Sequence, residues 1–91
     1  MTARFFRRKW EQPRSDQWAS WGPSWWFFET DAAGMVQRQI QVYEDGPILR
    51  YDTQHTSDEH GGLAAGQCLW KTEDWSEFEI DGQIFETVWS A

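Results

Sequence analysis

The chain has 91 residues, a formal net charge of −7, eight Trp, six Phe, two Tyr and one cysteine, Cys68. That length allows one domain, 1–91, with a limited core. The single cysteine excludes an intrachain disulfide, and the acidic balance disfavours nucleic acid while favouring basic partners. No apolar run approaches a membrane span, and no apolar stretch follows the basic residues near Met1 as a secretory signal requires, so a cytoplasmic protein away from membranes is expected.

Charge is unevenly spread. Within residues 1–14, Arg4, Arg7, Arg8, Lys9 and Arg14 meet only Glu11, whereas residues 15–91 hold Arg38, Arg50 and Lys71 and all the other acids. The first predicted strand covers Arg4–Glu11, with Phe6, Arg8 and Trp10 on one side and Phe5, Arg7 and Lys9 on the other. Interleaving of bases and aromatics there reads as a strand with a solvated basic face. Residues 12–23, with Pro13 and Gly22-Pro23, read as an irregular connection that carries Trp18 and Trp21.

Ser24–Thr30 (SWWFFET) is a second strand, its Trp25, Phe27 and Glu29 facing one way and Trp26, Phe28 and Thr30 the other. Asp31 to Gly34 reads as a hairpin loop, with Gly34 available for positive φ. The alternation of Met35–Tyr43 (MVQRQIQVY) predicts a half-buried strand: Val36, Arg38, Ile40 and Val42 in the apolar row, Gln37, Gln39 and Gln41 on a wet face. Asp45-Gly46 signals a turn into a fourth strand, Ile48–Asp52. His55 to Gly66 reads as loop, Glu73 to Phe78 as one helical turn, and Asp81 as the cap of a short helix whose Ile84, Phe85 and Val88 share a stripe beside Trp89. A helix that short must pack on the sheet. The expected class is therefore α+β: about four antiparallel strands with short C-terminal helical segments packed on one face.

The stretch Glu29-x-Asp31-x-x-Gly34-x-x-x-Arg38-x-Ile40-x-Val42-Tyr43-x-Asp45-Gly46, with Phe85-Glu86-x-x-Trp89 near the end, resembles a small bacterial domain family of unknown function. Some members of that family sit beside toxin genes as immunity proteins. Ala33 stands where Asp is common in the family, and Val36 and Gln41 where Glu is common. The resemblance transfers no catalytic residue. What it implies is a role in neutralising a cognate toxin.

The residues themselves point the same way. Arg38 on an apolar row needs a partner, and Glu29 on the neighbouring strand is the candidate for a structural ion pair. Asp52, His55, Asp58, Glu59 and His60 have metal-ligand chemistry but match no metal-binding spacing, so no metal is assigned. Ser, Cys and His lack the context of a nucleophile, and no phosphate loop occurs, so neither catalytic residue nor cofactor is expected.

The acidic segment Glu73-Asp74-Trp75-Ser76-Glu77 combines a hot-spot residue with charges that steer a basic partner, although Trp75 can equally anchor the segment on the sheet. The candidate partner-binding residues are thus Asp58, Glu59, Glu73, Asp74, Trp75 and Glu77, with Trp21 and Trp25. Three functions compete. The first is an immunity or inhibitor protein acting on a basic toxin domain, for instance a nuclease. The second is a small-ligand or regulatory domain with a wall of Trp21, Trp25 and Trp26. The third is a homo-oligomer joined through its aromatic sheet face; a homodimer is compatible with the first.

Overall fold

The computed structural model describes residues 3–64 and 66–91. Its main sheet is antiparallel and five-stranded, in the order β4-β3-β2-β1-β7. The strands are β1 (Arg4–Trp10), β2 (Ser24–Thr30), β3 (Val36–Tyr43), β4 (Ile48–Asp52) and β7 (Glu79–Ile80). β5 (Ser57–Asp58) and β6 (Gly61–Gly62) form a separate small hairpin within the segment expected to be loop. The fifth strand of the main sheet was not expected either: two residues of β7 pair with Phe5 and Phe6. A pair so short leaves no readable alternation.

Register sorts the side chains into two faces. Phe6 lies opposite Phe28, Phe28 opposite Gln39, and Gln39 opposite Tyr51, so these share one side. Lys9, Trp25, Val42 and Ile48 form a cross-strand row on the other, as do Arg7, Phe27, Ile40 and Arg50. The second side carries α1 (Gly82–Trp89), whose Phe85 is fully buried against Phe27 and Ile40 with Val88 and Trp89 beside it. Asp81 caps this helix by accepting a bond from the Gln83 amide at 2.8 Å.

The first side is covered as well, which the sequence reading missed. No long helix lies there. Residues 12–22, 53–64 and 66–78 fold over it, mostly as irregular chain, placing Trp21 on Tyr43 and Leu63, Trp70 and Trp75 on the core residues. The two helical segments after residue 75 therefore occupy opposite faces: the single 3-10 turn Ser76–Phe78 belongs to this loop layer and α1 to the helix layer.

Two expectations about β3 are corrected. Gln39 and Gln41 are buried, not wet. Gln39 donates to the Gly62 carbonyl and accepts from the Ala64 amide, and Gln41 accepts from the Tyr43 hydroxyl. An amide side chain can thus replace a strand neighbour for irregular backbone that would otherwise be unsatisfied. Val36 also leaves the row of Arg38, Ile40 and Val42. The register slips at Glu29/Thr30, where Gln37 is the extra residue, and this bulge turns Val36 towards Phe6, Phe28 and Trp75.

Gly34 joins the loop layer to the sheet. Its φ is 87°, and a Cβ there would sit 2.7 Å from the Cys68 sulfur and 2.9 Å from Trp70. The Leu69 amide bonds its carbonyl at 2.8 Å. Glycine is required for the turn and for the close approach together.

Candidate protein-binding surface

The acidic segment forms a ledge over β1. Asp74 accepts bonds from the Ser76 amide at 2.9 Å and its hydroxyl at 3.0 Å, which starts the 3-10 turn. Trp75 is buried, edge-on to Phe28 and Phe6, and Phe78 packs against it. Trp75 is therefore the anchor of the ledge and not a projecting contact. Arg8 lies over Trp75 and Phe78, at 5.0 and 4.5 Å from their rings, and donates to Glu73 at 2.7 Å. That bond holds the Glu73 carboxyl below the usual carboxylate range, and the Ser76 bonds do the same for Asp74. Both are ionised at neutral pH. Glu73, Asp74 and Glu77 all remain exposed.

Beside the ledge opens a cleft of about 370 Å³ between Trp70 and Trp75, with Glu73 and Asp74 among its lining residues. Arg4 also lines it, but its guanidinium is stacked 4.8 Å from Trp70 and donates to Glu79 at 2.8 Å. Arg4 and Arg8 are thus each paired with an acid, and Asp74 is the lining acid that bonds no basic side chain.

The other candidates lie elsewhere. Asp58 and Glu59 sit on the β5–β6 hairpin. Asp58 accepts from the Tyr51 hydroxyl and the His60 amide, each at 2.8 Å, so it is a structural acceptor. Glu59 is open to solvent, with one oxygen 3.8 Å from His60 Nε2. Trp21 is near this hairpin through His60 but is spent on packing: it lies on Tyr43, and a Cβ on Gly46 would meet it at 2.5 Å. Trp25 is on the helix face, 39% exposed, with Arg7 and Lys9 over its ring. The structure therefore brings Glu73, Asp74 and Glu77 together, pairs Asp58 and Glu59 in a second patch, and leaves Trp25 on the opposite side of the sheet. The wall of Trp21, Trp25 and Trp26 does not form; Trp26 instead lines a groove with Trp10, Arg14 and Tyr43.

Glu29 and Arg38 are direct cross-strand partners and are hydrogen-bonded. Arg38 also grips Glu86 of α1 with both terminal nitrogens and lies under the Phe85 and Trp89 rings, at 4.8 and 4.9 Å. Its role is to fasten the helix to the sheet. Among the described residues no three His, Cys, Asp or Glu side chains converge to hold a metal ion.

Sequence reasoning passed over Arg14, which closes the loop layer. It bonds Asp16, the Tyr43 hydroxyl at 3.1 Å and the His60 carbonyl at 2.6 Å, and lies over the Trp18, Trp21 and Tyr43 rings. An Arg in an irregular segment beside Pro13 carries no periodic signal; only the surplus of Trp hinted that the loops had rings to present. Compared with known proteins, the chain matches no family model, no curated protein and no solved structure.

Proposed function

We propose that this chain is a binding protein that neutralises a basic partner, in the manner of a toxin-immunity protein, through the Glu73–Glu77 ledge. The observation that carries this reading is the ledge's construction: carboxylates held outward on a segment whose tryptophan is buried, beside a cleft with aromatic walls. Such a cleft accepts a Lys or Arg side chain whose charge Asp74 meets, with the exposed Glu77 adding to the field. Because the Trp75 anchor and the Asp74 bonds already fix the segment, little ordering entropy is lost on binding. The acids also accelerate encounter with a positively charged groove, such as the substrate channel of a nuclease.

The test is co-expression with the C-terminal domain encoded by the adjacent upstream gene, followed by growth measurement and isolation of the complex. Growth arrest by that domain, relieved by this chain through a stable complex, supports the reading. The combined substitution Asp74→Asn and Glu77→Lys should weaken the complex by roughly tenfold or more while leaving thermal stability nearly unchanged. A harmless neighbour removes the main support of the immunity reading; a complex indifferent to those substitutions removes the ledge as its site.

A further inference from the structure

The two edges of the main sheet differ. At one end β7 presents only two residues. At the other, β4 presents five, and among the described residues no strand pairs with its outer side along Ile48–Arg50. The ladder fixes which groups point outward. Tyr43 donates to the Pro47 carbonyl, so the odd-numbered residues of this strand bond β3. The N–H and C=O of Ile48, Arg50 and Asp52 then point away from the sheet. Asp52 is already closed, because its amide and carbonyl both bond His55. Ile48 and Arg50 have no such partner among the described residues.

We propose that this edge pairs with the same edge of a second copy, giving a two-fold dimer with one continuous sheet. Only one antiparallel register matches two outward pairs to two outward pairs. It sets Ile48 against Arg50 of the partner subunit and Arg50 against Ile48 of the partner subunit, and so satisfies all four backbone groups on each chain. Sliding one step one way places Ile48 against the closed Asp52 of the partner subunit. Sliding the other way brings Arg50 to Gly46 of the partner subunit, in the turn. The side chains agree with this register. On the loop face Leu49, buried in its own chain with Tyr43 and Tyr51, lies at the two-fold centre. On the helix face Ile48, 37% exposed at the end of the row Trp25–Val42–Ile48, gains the stem of an arginine. The Arg50 charge does not oppose the approach, since its guanidinium is held by the backbone oxygens of Trp89 and Ala91.

Natural sheets guard such edges with prolines, charges or bulges; here Pro47 stands just before the pairing residues, and the one charge between Ile48 and Tyr51, Arg50, is turned onto the carbonyls of Trp89 and Ala91. The contact is isologous and closes on itself. It lies at the end of the sheet opposite β1, so the dimer carries its two acidic ledges outward.

Sedimentation equilibrium of the full chain over a wide concentration range, with amide exchange followed at Ile48 and Arg50, tests the pairing. A monomer–dimer equilibrium is expected, with both amides protected at high concentration and exposed on dilution. Ile48→Pro removes an N–H that β3 does not use and should weaken association roughly tenfold or more, whereas Ile48→Val should leave it in place. A monomer at every concentration, a dimer undiminished by Ile48→Pro in a folded chain, or exchange at these two amides that ignores concentration would overturn the proposal. Should Ile48→Pro not fold, the exchange of the unmodified chain decides alone.

Discussion

The two coverings of the sheet do the same task by different physics. On the helix face a short run of regular backbone satisfies its central hydrogen bonds, Asp81 and Arg50 take groups at its two ends, and one stripe, Phe85, Val88 and Trp89, supplies the contact. On the loop face the chain has few internal bonds to offer. Its polar backbone is satisfied by side chains reaching up from the sheet, as Gln39 does for Gly62 and Ala64, and its grip comes from large rings such as Trp70 and Trp75. A short helix needs an amphipathic stripe and a cap; an irregular layer needs bulky aromatics and polar residues under it. This accounts for the tryptophans packed on the loop face, Trp21, Trp26, Trp70 and Trp75.

The largest effects should come from the ring that anchors each layer. Phe85→Ala and Trp75→Ala each remove a buried aromatic and are expected to cost about 3–5 kcal/mol, read from chemical denaturation. The comparison predicts a difference in kind. Phe85→Ala should unfold the whole chain, since Phe85 joins Phe27 and Ile40 at the centre of the sheet. Trp75→Ala should loosen the segment from Leu69 to Phe78 first, visible as early loss of protection at the Leu69 amide. Equal, fully cooperative losses would mean that the two layers are one unit.

Next in size are the two residues that tie the loop layer to the sheet. Gly34→Ala imposes a strained backbone and a contact with Cys68 and Trp70, at about 1–3 kcal/mol. Gln39→Leu fills the same space but leaves the Ala64 amide and the Gly62 carbonyl unsatisfied, again about 1–3 kcal/mol. A wet-face glutamine would give no loss at all, so this variant separates the alternation pattern from the structure. Asp81→Ala, which removes the cap of α1, should cost about 1 kcal/mol.

These same residues mark how far the sequence was legible. The four long strands, the turn at Gly34 and the cap at Asp81 follow from local signals, because alternation, positive φ and capping act within a few residues. The helix face was readable for the same reason. The loop face was not. Its partners are far apart in the chain, Gln39 with Gly62, Arg14 with His60, Arg4 with Glu79, and no period links them. Gln39 and Gln41 looked solvated because alternation assigns polarity to water, and it cannot show that a later loop will supply the acceptors. Of the candidate surface, the three ledge acids were legible as one cluster of adjacent residues. That two of their neighbours, Arg4 and Arg8, come from the first strand to brace it was not.

The smallest expected effect, and the sharpest on the comparison, is that of acid. Asp16, Glu73 and Glu79 on the loop face have carboxyls held below the usual range by hydrogen bonds from Arg14, Arg8 and Arg4, and Glu86 on the helix face by Arg38. A carboxyl lowered in the folded chain contributes stability that is fully present above its unfolded value, about 4, and is lost as the pH falls through the folded value. Stability should therefore be flat from neutral to about pH 5 and decline below it. All four pairs are largely exposed, so each contributes little, and salt should blunt the decline. Three of the four lie on the loop face, so that layer should loosen first. The Leu63 and Leu69 amides, bonded to Thr56 and Gly34, should lose protection at a higher pH than the Ser90 amide bonded to Glu86. If all three are lost at one pH, the ion pairs stabilise the fold as a whole, and the loop layer is held by its rings and by Gln39 alone.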